Sequence, residues 1–151
     1  MADIKTKLNL KDGSTLLLLL AVPAPLEPLL ADLTGVQLLR KLPRTKGLQA
    51  ALVFVQKQAE LDTFALDVTA RASGDAMLWF AYPKKSSKHY SCDFNRDSGW
   101  AVLGAAGYEP VRQIAIDEDW SALRFRKAEF IKTFSRAKSM ALSAAGKQRA
   151  T

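Results

Sequence analysis

A chain of 151 residues, 48% hydrophobic and 25% charged, has room for one full hydrophobic core and reads as one folded domain, not a disordered chain. Its one cysteine, Cys92, excludes an internal disulfide and fits a reducing compartment such as the cytoplasm. The net charge is +7, but six Lys or Arg stand against one Glu between Lys127 and Thr151, so five of those charges lie in a C-terminal tail and the body is nearly balanced.

The longest apolar run, Leu16 to Val22, is far short of the roughly 20 residues that cross a membrane. Lys5, Lys7 and Lys11 before it, and Ala21 and Ala24 at its end, would suit a secretion signal. Asp3, Asp12 and the Asp12-Gly13 turn argue instead for a strand over Thr15 to Val22, buried on both faces. Pro23, Pro25 and Pro28 follow. Leu26, Leu29, Leu30 and Leu33 then recur at helical spacing, with Pro28 in the first turn, where no backbone donor is needed, and Gly35 at the end.

Val36 to Leu42 reads as a second strand, Pro43 to Gly47 as a polar break and Ala50 to Val55 as a third strand. Leu61, Phe64, Ala65, Val68 and Ala72 then share one face, with Asp62, Asp67 and Arg71 off it. That pattern predicts an amphipathic helix stopped by Gly74. Met77 to Tyr82 is a fourth strand, ended by Pro83. After the loop Lys84-Lys85-Ser86-Ser87-Lys88, Asp93 or Asn95 can cap a helix carrying Trp100 and Leu103 and ending at Gly107. Val111 to Ile116 and Trp120 to Arg126, joined by Asp117-Glu118-Asp119, predict an antiparallel hairpin. Phe130, Ile131 and Phe134 start a last helix whose Ala-, Ser- and Lys-rich end frays.

Strands alternating with helices predict an α/β, Rossmann-like fold: a mostly parallel open sheet with helices on both faces and a C-terminal antiparallel hairpin. The domain spans 1–127, and a basic, partly helical tail spans 128–151. One link resists this scheme. Leu42 to Gln49 is shorter than the dozen or so residues a parallel crossover needs. Either it runs extended across the sheet, or strands two and three pair antiparallel.

The stretches LWFAYPKKSSK, DFNRDSGW and IDEDWSALRFR resemble a family of short bacterial proteins with a Rossmann-like sheet. That resemblance implies a fold and brings no activity with it. The topology from Thr15 to Arg126 is similar to the end of a class I methyltransferase. Such enzymes hold their cofactor on a Gly-rich turn after the first strand, where the backbone approaches closely and its N–H groups donate. Here that turn is AVPAPLEP, with no glycine and three prolines that each lack a donor. Where the family resemblance would place a ribose-binding carboxylate, at the end of strand two, stand Arg40 and Lys41. No cofactor is therefore expected: neither S-adenosylmethionine nor a dinucleotide should bind in the usual mode, and micromolar binding of either by calorimetry would overturn this.

In open parallel sheets ligands bind beyond the carboxyl ends of strands. The basic loop leaves strand four at such an end and leads to a helix start. Lys85, Ser86, Ser87 and Lys88, with Asn95 and Arg96, could surround an oxyanion: lysine brings charge, serine a hydroxyl donor, arginine a two-pronged donor. It is not a Walker loop, since GxxxxGK[ST] is absent. The bland reading is a solvated loop. Arg124 and Arg126 alternate with Leu123 and Phe125, so both face one side of their strand. They either reach a bound anion or pair with carboxylates such as Asp97 or Asp117. His89 and Cys92 are too few for a zinc site and weak as a catalytic pair. Trp79, Trp100 and Trp120 read as packing residues.

Two readings of function follow. The first is a non-enzymatic or degenerate module that binds a phosphate-bearing small molecule at the strand-four rim. The second is a protein-interaction or nucleic-acid-associated module acting through Lys132, Arg136 and Lys138 of the tail. No enzymatic constellation of acid, base and nucleophile stands out. Nothing points to a membrane, and the oligomeric state stays open.

Overall fold

The structure, a computed structural model, describes residues 4–10, 16–31, 33, 36–44, 46–94 and 99–131. Asn95, Arg96 and Asp97, the turn at Asp12-Gly13, Gly35 and the tail from 132 onward lie outside these residues, and with them the tail-based reading.

The described residues form one six-stranded sheet. Its strands are β1 (Leu16–Leu20), β2 (Gln37–Leu39), β3 (Leu48–Phe54), β4 (Ala72–Pro83), β5 (Tyr108–Ala115) and β6 (Trp120–Lys127), in the order β2-β1-β3-β4-β6-β5. The pairs β1–β2, β1–β3 and β3–β4 are parallel. β6 runs antiparallel to both β4 and β5. The hairpin therefore closes the sheet with its second strand inside and its first at the edge. The open link is resolved by β1 lying between β2 and β3: the chain after β2 runs past β1 to start β3 in the same direction, so strands two and three do not pair.

Helices cover both faces. On one face α3 (Gln58–Arg71) and α4 (Ala101–Ala105) pack Leu61, Ala65, Val68 and Leu103 against Leu18, Ala51, Val53, Leu78, Phe80, Leu123 and Phe125. On the other, α1 (Ile4–Lys7) and α2 (Glu27–Ala31) bring Ile4, Leu8 and Leu30 onto Leu17, Leu19, Leu52, Trp79 and Ala122. The alternation of strand residues between the two cores follows from the period of two along a strand. In β1, in β3 from Ala50 onward and in β4 from Ala76 onward both alternating sets are apolar, as strands buried on both faces require.

Three boundaries differ from the sequence reading. The helix over 58–71 passes straight into β4 without a loop, because Ala72 is already extended. The strand then carries an irregularity between its pairings at Ala72 and Met77, with Gly74 at φ +58, where the predicted stop stood. α1 has no counterpart in the sequence reading, since one turn shows no periodicity. It is held to the sheet by the Trp79 indole N–H, which donates to the Leu8 carbonyl at 3.2 Å. Asp93 caps a different helix from the one expected. Its Oδ1 accepts the backbone N–H of Gln58 at 2.6 Å, at the start of α3. Glu60 Oε1 takes the N–H groups of Gln56 and Lys57 beside it at 2.9 and 3.1 Å, so side chains meet the free donors of Lys57 and Gln58 at that helix start.

Residues 128–131, at the root of the expected tail, fold back on the domain. The Ala128 N–H donates to Gly107 at 3.0 Å, and Ala128 is buried. No helix among the described residues is long and apolar enough to cross a membrane.

Candidate functional site

The parallel strands end on one rim of the sheet, and β6 starts there. On the α3–α4 face of that rim, at the carboxyl end of β4, is a cleft of about 490 Å³. Tyr82 and Pro83 from the end of β4, Lys84, Lys85 and Ser87 from the basic loop, and Tyr90, Ser91, Cys92 and Phe94 from the chain that follows line it. Gln113 of β5 and Ser121 of β6 complete it.

Sheet register explains why residues so distant in sequence meet. Ser121 stands opposite Tyr82 in the β4–β6 pairing, and Ala115 opposite Ser121 in the β5–β6 pairing. The Gln113 side-chain N–H donates to the Tyr82 hydroxyl at 3.1 Å across the intervening strand. Ser121 is 6% exposed, and its side chain lines the cleft. A hydroxyl on a cleft wall can both give and accept a hydrogen bond with a ligand or water group.

The basic loop is fastened to the β5–β6 turn. The Lys84 N–H donates to the Asp119 carbonyl at 2.8 Å. The Ser87 hydroxyl donates to Asp119 Oδ1 at 2.8 Å and accepts the N–H groups of His89 and Tyr90 at 3.3 and 3.1 Å. His89 Nδ1 lies 3.4 Å from Asp119 Oδ2. Asp117 Oδ1 in turn accepts the N–H groups of Asp119 and Trp120, each at 2.8 Å.

The expected site residues therefore separate. Lys85 and Ser87 line the cleft, but the Ser87 hydroxyl proton is already committed to Asp119. Ser86 and Lys88 are exposed and do not line it. Asn95 and Arg96 lie outside the described residues. Arg124 and Arg126 are on the opposite face: Arg124 stands opposite Trp79 in the β4–β6 pairing, and Trp79 belongs to the α1–α2 core. The pairing read for Arg126 exists with another carboxylate. Its guanidinium makes two hydrogen bonds to Asp75, at 2.8 and 2.6 Å, and Asp117 is occupied by backbone N–H groups. Burial lowers the pKa of Arg124, with Arg126 and Arg112 adding repulsion, and its buried Nε has no partner.

Sequence reasoning missed Lys84, Gln113 and Ser121. For Ser121 a signal existed, because it is the polar member of the otherwise apolar alternating set Ser121, Leu123, Phe125. Cys92 lines the cleft, whereas His89 does not, and His89 is drawn to Asp119 instead. Burial pushes the Cys92 thiol up, against a hydrogen bond from the Phe94 backbone, and Asp93 and Glu60 push it further. Less thiolate at neutral pH means slower alkylation. Iodoacetamide at pH 7.5 should modify Cys92 more slowly than free cysteine, as followed by mass; a faster rate would show an activated thiol.

The corresponding rim at β1 has a different character. Ala21 occupies φ +59, a left-handed conformation that glycine adopts more readily. Arg40, just past β2, makes a two-pronged ion pair with Glu27 of α2, at 2.9 and 3.0 Å. Among the described residues no group of three His, Cys, Asp or Glu could hold a metal ion.

No protein-family model matches the sequence, and no curated protein matches it. The fold is similar to those of several solved methyltransferases. The N-methyltransferase NodS from Bradyrhizobium japonicum WM9 is 12% identical, with 77% of this chain and 87% of that one covered and a TM-score of 0.45. A putative type 11 methyltransferase from Sulfolobus solfataricus is 7% identical over 82% and 89%, with a TM-score of 0.49. A SAM-dependent methyltransferase from Aquifex aeolicus is 14% identical over 82% and 87%, also with a TM-score of 0.49.

Proposed function

We propose that this chain binds a small phosphate-bearing molecule in the cleft at the carboxyl end of β4. The observation that carries the reading is the conjunction of a cleft, two lysines and a serine hydroxyl: Lys84 and Lys85 with Ser121 around about 490 Å³. That volume lies within the roughly 300–1,000 Å³ of small-molecule sites, which combine apolar walls with a few placed polar groups. The lysines attract the anion, and Ser121 and Gln113 supply hydrogen bonds that orient it. Among the described residues no carboxylate or histidine lines the cleft, and burial pushes the Cys92 thiol up. These groups suit recognition.

A thermal-shift series at low salt tests this with inorganic phosphate, sugar phosphates and nucleotides. A ligand at 100 times its Kd adds about 2.7 kcal/mol of stability, which raises Tm by roughly 5–10 °C in a chain of this size. Replacing Lys84 and Lys85 by Glu together should weaken binding on the order of tenfold or more and flatten its salt dependence. If none of the compounds shifts Tm at low salt, the loop is a solvated surface.

A further inference from the structure

We propose that the ligand of this cleft is an aromatic phosphate ester, its ring held against Tyr90 and Phe94 and its phosphate near Lys84 and Lys85; this rests on the reading above and narrows it. An ion as small as inorganic phosphate would leave most of the cavity, and its aromatic walls, in contact with water. Those walls are fixed before any ligand arrives. Phe94 is set edge-on against Trp100 with centroids 5.3 Å apart and lies 6.2 Å from Tyr82, while Tyr90 leans on Trp120 at 5.0 Å. Phe94 and Trp100 are buried, and Trp120 is 1% exposed, so the rings cannot turn away without opening a core. Rings already held in place lose little freedom on binding, and aromatic faces offer offset or edge contacts to a planar guest.

The polar groups sit at two places. Ser121, buried on β6, and Gln113, exposed on the edge strand β5, come from the sheet, and the lysines come from the loop after β4. This division suits a molecule with a hydrogen-bonding ring at one end and an anion at the other, in the chemical class of nucleoside monophosphates and simpler aryl phosphates. A charged aliphatic ester engages only the lysines.

Calorimetry on the full chain at low salt compares inorganic phosphate, glycerol 3-phosphate and phenyl phosphate. Phenyl phosphate should bind at least about tenfold more tightly than glycerol 3-phosphate, and Tyr90→Ala should erase that preference by weakening phenyl phosphate far more than glycerol 3-phosphate. Because Tyr90→Ala also loosens the packing of Trp120, a second readout uses the unaltered protein. Cys92 is the sole cysteine and lines the cleft, so phenyl phosphate should protect it from iodoacetamide more than glycerol 3-phosphate does at equal concentration. Equal affinity for the two esters, or no difference in protection, overturns the aromatic assignment and leaves the phosphate site standing. Failure of all three compounds to bind removes both.

Discussion

Trp100→Ala should cost this protein about 3–5 kcal/mol, the range for removing a large buried aromatic side chain. Trp100 is 3% exposed and touches four other rings: Phe125 at 5.2 Å, Phe94 at 5.3 Å, Tyr82 at 5.6 Å and Phe80 at 6.5 Å between centroids. Phe80 and Phe125 come from the adjacent strands β4 and β6, and Tyr82 from the end of β4. Trp100 itself starts α4. One indole thus joins the sheet to the segment that walls the cleft. Total stability in domains of this kind is about 5–15 kcal/mol, so the loss is a large fraction of it, and Tm should fall by roughly 6–20 °C. Binding should suffer too at temperatures where the variant stays folded, since Phe94 and Tyr82 lose their backing. Trp79→Phe on the opposite face is the comparison. It gives up the hydrogen bond to Leu8, worth about 1 kcal/mol, and should leave the cleft intact. A Tm for Trp100→Ala within about 2 °C of the parent would show that the aromatic cluster is not the structural centre described above.

Much of this architecture was legible in the residues because it depends on local pattern. The apolar run read from Thr15 to Val22 forms a strand over Leu16–Leu20, the stripe from Leu61 to Val68 packs on the sheet while its last member Ala72 already belongs to β4, and the alternation that sends Arg124 and Arg126 to one face and Leu123 and Phe125 to the other is present. What was not legible depends on pairs far apart in the chain. Ser87 reads as a free donor until Asp119, 32 residues on, takes its proton. Arg126 reads as available until Asp75, 51 residues back, receives its guanidinium. The same holds for the cleft: Tyr82, Gln113 and Ser121 come together only because β6 inserts between β4 and β5, an order that composition and periodicity do not encode. The path of the chain from β2 to β3 was undecided for the same reason, since it depends on which strand occupies the middle. A basic loop after a strand was a correct pointer to the rim and a poor guide to which of its side chains face inward.

Gly99→Ala should destabilise by about 2–6 kcal/mol, and comparison with Gly107→Ala separates the causes. The two glycines have nearly the same backbone, φ +95 and +93, where L residues are rarely found. A methyl at Gly107 would meet nothing within 4 Å, so its cost is backbone strain alone, about 1–3 kcal/mol. At Gly99 the methyl would lie 2.6 Å from the Gln58 side-chain oxygen and 2.8 Å from the Phe94 Cβ. The Gln58 amide end can swing aside, although in doing so it weakens the bonds it donates to the Gly99 carbonyl and to Asp62, both 2.8 Å. The Phe94 Cβ cannot swing, because it is fixed to the backbone and its ring is held by Trp100. The main chain must move, which adds about 1–3 kcal/mol of overpacking cost. Chemical denaturation of both variants gives the difference directly, and Gly99→Ala should be the less stable by at least about 1 kcal/mol. Because Phe94 is a wall of the cleft, Gly99→Ala should also weaken phenyl phosphate binding, while Gly107→Ala should not. Equal stability losses in the two variants would mean that the segment carrying Phe94 yields freely, and a wall that yields freely could not hold a ring in place.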